Sequence, residues 1–435
     1  MINFANLKIN LTQEEQDILH GKQGQTMQKI METLVLYGEA LNAEKLVEIE
    51  GNGHLVICWP IPGISPPMQM LDEFVDCGLR TRFPFTLDPE APLDFENLHL
   101  KGWQEQVLRE IYKDQEQYEQ KMLQLGLRDK FAFTCNPYLP EVGNAPERGT
   151  VLAWSESACV IFANSVLGAR TNRNGAIIDL LSNIAGKTPL TGLLTDEGRR
   201  ATWLIQVATS KLPFPSLLGA AIGQKVLAGV PFIVGLDRYL GPRLQGYTID
   251  YLHEMGAACA TFGAVGLYHV ENITPEARDY GRGLLAEGYE TFLIDDQTIR
   301  ELQASYPVLW ADKRAKPKKC LIGCPHLSLR QIYWWVHQIK DALVSKGKNQ
   351  LSVPTIIFSA RQVIEKFREN SEAHEQLKRA GVTFSATCPL ALFDKDISAD
   401  DAIVTNSNKL RAYSTARFFT DEELIEIIVT GEIEG

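Results

Sequence analysis

Several sequence patterns that define common enzyme classes are missing from this chain of 435 residues. It contains no GxxxxGK[ST] phosphate loop, no GxGxxG turn, no HExxH zinc helix, no GxSxG nucleophile elbow and no CxxC pair. Each of these motifs has a known physical role in binding phosphate, dinucleotides or zinc, or in presenting a nucleophile. The sequence therefore offers no direct evidence for those classes.

Long apolar runs, cysteines and positive charge are also scarce. No run approaches the roughly 18 apolar residues that a membrane span needs, and the N-terminus does not have the pattern of a signal peptide. Eight cysteines are too few for a disulfide framework and suit a reducing compartment. The 43 Lys and Arg residues against 54 Asp and Glu give a net charge of −11, which repels phosphate backbones. We expect a cytoplasmic protein with no nucleic-acid or membrane partner.

The order of apolar and helical patterns predicts an α/β fold with mainly parallel sheets, flanking helices and several lobes. Amphipathic helical patterns occupy the first fifty residues and the range 104–125, and loops rich in polar residues fill the middle of the chain. In the last 170 residues, short apolar runs alternate with helical stretches. We predict three lobes, which are helical and α/β over 1–129, α/β with polar substrate loops over 130–315, and α/β over 316–435.

Three cysteines share an unusual setting. Cys135, Cys324 and Cys388 each end a predicted strand and lie within two residues of a proline. Because the carboxyl ends of parallel strands meet at one edge of a sheet, the three thiols could meet there and bind iron or an iron–sulfur cluster. The alternative is that they are buried packing residues, since free cysteine behaves as a small hydrophobic side chain.

A polar segment that begins at Asn164 indicates an anionic substrate. Arg170 and Arg173 bring two guanidinium groups close together in sequence, which suits the binding of a carboxylate or phosphate. Alternatively, these arginines pair with structural carboxylates such as Glu156, and the polar side chains cap a helix. The candidate substrate-binding residues are Ser155, Asn164, Arg170, Thr171 and Arg173.

A candidate acid/base pair lies near the end of the central region. His269 and Glu271 are two residues apart, so on a strand both side chains would face the same side. Such a pair could transfer protons in catalysis. The alternative is that His269 is a hydrogen-bonded residue of the core.

Taken together, five short segments resemble the aconitase X family. They are Cys135-Asn136-Pro137-Tyr138, Ala153-Trp154-Ser155-Glu156-Ser157, Asn164 to Arg173, Leu267-Tyr268-His269-Val270-Glu271 and Ile322-Gly323-Cys324-Pro325-His326. The resemblance implies an aconitase-like fold and a hydro-lyase that removes water from a hydroxylated carboxylate. It also implies that Cys135, Cys324 and Cys388 bind iron or an iron–sulfur cluster.

The resemblance further implies a partner and a set of substrates. In the family a swivelling small domain, fused or separate, supplies a catalytic serine. We expect this chain to lack that domain and to act with a separate small subunit. The expected substrate is a small hydroxy carboxylate similar to 5-phosphomevalonate, with cis-3-hydroxy-L-proline or another hydroxy acid as the alternative. A non-catalytic iron-binding protein on the same scaffold is the second alternative.

Overall fold

The computed structural model describes residues 7–56, 65–392, 398 and 400–433. The α-helices are α1 (Gln13–Leu19), α2 (Gln25–Ala40), α3 (Ser65–Asp76), α4 (Gly102–Ile111), α5 (Gln115–Leu125), α6 (Ser157–Phe162), α7 (Ala176–Ala185), α8 (Pro215–Val226), α9 (Asp237–Leu240), α10 (Tyr247–Phe262), α11 (Pro275–Tyr280), α12 (Asp296–Ala304), α13 (Leu329–Ser345), α14 (Arg361–Arg368), α15 (Ser371–Ala380), α16 (Pro389–Leu392), α17 (Asn408–Tyr413) and α18 (Asp421–Thr430). The strands are β1 (Leu46–Glu48), β2 (Gly53–Leu55), β3 (Phe85–Leu87), β4 (Lys187–Pro189), β5 (Ala201–Val207), β6 (Pro231–Val234), β7 (His269–Val270), β8 (Leu285–Ile294), β9 (Lys319–Leu327), β10 (Thr355–Ser359), β11 (Val382–Ser385), β12 (Ile403–Thr405) and β13 (Arg417–Phe418).

The N-terminal part is built mainly from helices. Thr12 caps α1 through a capping box, in which its side chain accepts from the Glu15 backbone N–H and the Glu15 carboxylate accepts from the Thr12 backbone N–H. The apolar face of α2 packs with α5 and α7 around a core that includes Leu34 and Met122. Two small sheets join this part, an antiparallel β1–β4 pair and a parallel β2–β3 pair.

A four-stranded parallel sheet forms the centre of the chain, in the order β7-β6-β5-β8. Helices α8 and α10 pack closely against one another, and their apolar side chains pack on buried residues of the sheet such as Ile205 and Ile233. Gly219 makes this approach possible, because a Cβ there would lie 2.1 Å from the backbone oxygen of Met255.

The C-terminal part is a five-stranded parallel sheet in the order β11-β10-β9-β12-β13. Helices α13, α14, α15 and α18 contribute to the core on this sheet, which includes Ile322, Ile357 and Phe384. Strand β9 lies in the middle with β10 on one side and β12 on the other. The predicted α/β fold with mainly parallel sheets and flanking helices is therefore confirmed.

One predicted helix is divided. The pattern over residues 104–125 predicts a single helix, whereas the structure has α4 and α5 separated by a turn at 112–114. The two halves belong to different cores. Leu108 of α4 packs with Leu321 and Phe358, whereas Met122 of α5 packs in the N-terminal core. Tertiary packing thus interrupts a continuous local pattern. In the described ranges, no helix is long and apolar enough to cross a membrane.

Candidate active site

The three predicted cysteines are free thiols in the same neighbourhood. Burial raises the pKa of all three, that of Cys388 to about 12. The proximity of Cys324 raises the pKa of Cys135 and of Cys388 further, so both thiols lie within electrostatic range of Cys324.

The structure corrects how the cysteines are positioned. Cys324 lies inside β9 rather than at its end, and the glycine before it has a left-handed φ of 107°. Cys135 follows an isolated bridge between Phe133 and Leu87, and Cys388 lies between β11 and α16. One of the three thiols is therefore on a strand of a sheet, and the other two are on loops beside it.

His326 connects the three cysteine segments. Its backbone N–H donates to Sγ of Cys135 (3.2 Å), and its carbonyl accepts from the Asn136 side chain (3.1 Å). Its ring Nε2 lies 3.2 Å from the carbonyl oxygen of Thr387, and Nδ1 lies 3.1 Å from the Thr134 hydroxyl. Because a carbonyl only accepts, the network assigns the ring proton to Nε2. The histidine thus joins the loops on which Cys135 and Cys388 lie to the strand that carries Cys324.

The donor set at this site fits an iron–sulfur cluster in its chemistry. Thiolates are the usual ligands of such clusters. Within the described ranges, no three His, Cys, Asp or Glu side chains are close enough together to hold a metal ion. The buried Oδ1 of Asn136, next to Cys135, has no hydrogen-bond partner in the same ranges. The cysteines thus share a neighbourhood and a donor chemistry, and the three thiols would have to approach one another to bind a metal.

A buried ion pair lies beside the cysteines. The ammonium group of Lys409 donates to Oε1 of Glu156 (2.8 Å), and the two side chains are 11% and 6% exposed. Burial opposes ionisation of both groups, but their mutual attraction lowers the pKa of Glu156 and raises that of Lys409. The positive charge of Lys409 also acts to lower the pKa of Cys135 and Cys324. Both members of the pair are therefore charged at neutral pH.

Local structure fixes the two partners. Glu156 is the N-cap of α6, where its Oε2 accepts from the backbone N–H of Cys159 (2.6 Å). Lys409 lies in the first turn of α17, whose N-cap Ser407 accepts from the Leu410 N–H and donates to the carbonyl of Cys324. The end of β12 and the start of α17 thus place the lysine next to β9.

The predicted substrate segment is largely occupied by internal contacts. The Asn164 amide donates to the carbonyls of Thr171 and Gly266 and accepts from the Thr171 N–H. Arg170 donates to the carbonyl of Leu194 and pairs with Asp196, and the exposed Arg173 reaches the carbonyl of Ala260 at 3.4 Å. The hydroxyls of Ser155 and Thr171 accept from the backbone N–H groups of Val56 and Trp154. The two arginines therefore bind different parts of the structure.

His269 and Glu271 also have separate partners. Strand β7 ends at Val270, so Glu271 lies beyond it and forms an exposed ion pair with Arg282 (2.8 Å). The ring Nε2 of His269 lies 2.9 Å from the carbonyl of Arg199, and the carboxylate of Glu276 is 3.7 Å from Nδ1. Burial lowers the pKa of His269. The expectation that both side chains lie on one strand is wrong, because the strand is too short.

Sequence reasoning missed the most buried ion pair of the site. Lys409 was not selected, and Glu156 was considered only as a structural partner for arginines. A signal was present, because Thr405-Asn406-Ser407-Asn408-Lys409 is a polar run directly after an apolar strand. Such strand-to-helix turns often bind ligands.

Comparison with known proteins identifies the family. Models described as the aconitase X first, second and third domains match residues 8–197, 201–304 and 318–425. The chain belongs to the aconitase X family. It is 34% identical to the phosphomevalonate dehydratase large subunit of Thermococcus kodakarensis, over 81% of this chain and 82% of that one.

Other members of the aconitase X family are also similar to this chain. The cis-3-hydroxy-L-proline dehydratase of Hypocrea jecorina is 26% identical over 94% of this chain and 65% of its own length. The crystal structure of Thermococcus kodakaraensis aconitase X in its holo-form matches with a TM-score of 0.78 and 29% identity, over 96% of this chain and 99% of that one. The two sequence relatives are named dehydratases, which are hydro-lyases, and the structural match is to aconitase X, so the predicted family, fold and enzyme class are confirmed.

Proposed function

We propose that this chain is the large subunit of a dehydratase that removes water from 5-phosphomevalonate. In this reaction a C–H bond next to the carboxylate and the C–O bond of the hydroxyl group break, a C=C bond forms, and one water molecule leaves. The observation that carries the proposal is the group of three cysteine segments joined by His326 beside the buried Glu156–Lys409 pair. The identities of 34%, 31%, 33% and 30% to four phosphomevalonate dehydratase large subunits support this substrate over the hydroxyproline alternative, for which the identities are 26% and 27%.

We further propose that Cys135, Cys324 and Cys388 hold iron or an iron–sulfur cluster. Such a centre would supply a Lewis acid for the leaving hydroxyl group. His326 would keep the cysteine loops in place through its two ring contacts and its backbone N–H. The roles predicted for His269, Glu271, Ser155, Asn164, Arg170, Thr171 and Arg173 stay predictions.

The proposal includes a separate small subunit. Similar proteins from several archaea are named large subunits, which implies a second chain. The reaction also needs a group that accepts the proton from carbon. The partner would supply that group, as the resemblance to the family implies.

Turnover by the two-subunit complex tests the proposal. The chain is purified without oxygen, alone and together with the candidate small subunit, and offered 5-phosphomevalonate or cis-3-hydroxy-L-proline. Proton NMR follows the appearance of the product double bond. We expect turnover of 5-phosphomevalonate by the complex only. Turnover of hydroxyproline would support the alternative substrate, and an iron-loaded complex that converts neither would support a non-catalytic protein.

A further inference from the structure

We propose that Lys409 binds the substrate carboxylate, an inference that rests on the proposed function. Lys409 is the cation whose charge acts on both Cys135 and Cys324. Its side chain is 11% exposed, so its charge is poorly screened by water. An anion bound next to it would therefore interact strongly.

The ammonium group of Lys409 has donors to spare. It carries three N–H donors, and within the described ranges Glu156 is the acceptor that it contacts. A buried donor without an acceptor costs free energy. Arg170 and Arg173 are less suitable for binding the substrate carboxylate than Lys409, because Arg170 is paired with Asp196 and Arg173 is exposed.

A small cavity lies beside this position. Lys409 lines it together with Cys324 and Ser407, and the remaining wall includes Ser216, Glu254 and Asn406. Cys324 of the proposed metal site and Lys409 thus both contribute to the wall of one cavity.

Bond counting selects the carboxylate over the phosphate. In 5-phosphomevalonate the carboxylate carbon is two bonds from the carbon that bears the leaving hydroxyl, whereas the phosphorus atom is four bonds from it. A group held close to the cysteines must therefore be the carboxylate. Negative charge grows on it as the neighbouring carbon loses its proton, and a fixed cation at that position would stabilise this charge.

Glu156 fixes the position of the Lys409 ammonium group. Its carboxylate holds the ammonium group in place without using all three donors. Its own Oε2 is engaged by the N–H of Cys159. A carboxylate of the substrate would complete a triad of anion, cation and anion, in which the lysine stays charged.

Calorimetric titration of the anaerobic, iron-loaded complex of both subunits tests this inference. Mevalonate, which has the carboxylate and hydroxyl but no phosphate, and inorganic phosphate are titrated separately into the wild type, Lys409→Met and Lys409→Arg. Lys187→Met is the matched control, because Lys187 is also a buried, ion-paired lysine, with Glu15 and Glu48, in another part of the chain. Iron content is measured for every variant.

We expect Lys409→Met to keep its iron and to bind mevalonate roughly 10- to 100-fold more weakly, the loss typical of a hydrogen bond to a charged group. Phosphate binding should be unchanged, Lys409→Arg should retain part of the mevalonate affinity, and Lys187→Met should behave as wild type. Unchanged mevalonate binding, selective loss of phosphate binding, or loss of iron from both Lys409 variants would overturn the inference. If the wild type binds mevalonate but does not dehydrate 5-phosphomevalonate, the proposed function fails while the lysine comparison still decides this inference.

Discussion

Two buried polar regions of this molecule look alike in composition but differ in how completely the cation of each region is hydrogen-bonded. In the first, Arg199 donates to Glu276, to the side chain and carbonyl of Asn164 and to the carbonyl of Leu193. In the second, Lys409 contacts Glu156 alone within the described ranges. A buried structural cation usually has most of its donors hydrogen-bonded, so Lys409, which has unused donors, is the better candidate for ligand binding.

The largest change in the free energy of unfolding is expected for the ion pair between Arg199 and Glu276. Arg199→Met removes a cation that is 2% exposed and leaves the Glu276 carboxylate buried without it, so we expect a loss of about 3–5 kcal/mol in the free energy of unfolding. Urea unfolding measures it. The control is Arg200→Met, because Arg200 makes one hydrogen bond to the Leu285 carbonyl. A loss under about 1 kcal/mol would contradict the structural role of the network.

Breaking the Glu156–Lys409 ion pair should lower the free energy of unfolding somewhat less than Arg199→Met does. Glu156→Gln leaves Lys409 buried and charged, and we expect a loss of about 3 kcal/mol at pH 7. Because the folded pKa of Glu156 is lowered, its contribution is present above the ordinary pKa of 4.5 and fades as the pH falls below it.

Urea unfolding of wild type and Glu156→Gln should therefore show a gap that narrows between pH 5 and pH 3. The exposed pair of Asp196 with Arg170 provides the control Asp196→Asn, for which a gap of less than about 1 kcal/mol is expected at pH 7. A gap between wild type and Glu156→Gln that is independent of pH would show that the carboxylate charge does not stabilise the fold.

His253 tests whether a buried polar atom without a hydrogen-bond partner is sufficient to identify a functional site. Its ring Nε2 has no partner in the described ranges, but its neighbours are the aromatic rings of Tyr138 and Phe162. Burial lowers its pKa to about 3, so it destabilises the fold as the pH falls below 6.5. Between pH 7 and pH 5, the free energy of unfolding should therefore fall by about 2 kcal/mol less in His253→Phe than in the wild type.

Chemical unfolding at both pH values measures the His253→Phe effect, and the exposed His337→Asn is the control. An unchanged pH dependence would mean that His253 is hydrated in the folded state. A hundredfold fall in kcat at pH 7 would instead place this histidine in the active site.

The smallest change in the free energy of unfolding is expected for Glu271, the more exposed residue of the predicted acid/base pair. Glu271 is paired with Arg282, whose side chain is 61% exposed, so Glu271→Gln should change the free energy of unfolding by less than about 1 kcal/mol. Thermal unfolding measures the change, with Asp279→Asn at another exposed pair as the control. A change above about 2 kcal/mol would contradict the solvent-screened geometry. Turnover measured on the same variant would test the predicted catalytic role.

Local sequence patterns predicted much of the fold. The capping box at Thr12 and the alternating strands and helices of the C-terminal sheet are encoded within a few residues of one another. The turn at 112–114 was missed because α4 and α5 pack into different cores, which no local pattern records. The two-residue length of β7 likewise depends on its pairing with β6.

The site was predictable only in part. Cysteines carry a rare chemistry and stand out in a sequence, so the trio could be selected. The Glu156–Lys409 pair joins residues 253 positions apart, and its importance comes from burial that only the folded chain creates. Arginines near Asn164 stood out for their charge, but their folded partners were unknown. Unused hydrogen-bond donors on a buried cation, rather than charge alone, distinguish the Lys409 region from the Arg199 region.

Iron and acid-labile sulfide in the anaerobically purified chain decide whether the cysteine neighbourhood is a metal site. Cys135→Ser, Cys324→Ser and Cys388→Ser are compared with wild type and with Cys259→Ser, a fully buried cysteine in the core of α10. We predict that the three variants lose the metal and that Cys259→Ser keeps it. A wild type without iron after reconstitution, or a Cys259→Ser variant that loses iron like the other three, would contradict the assignment.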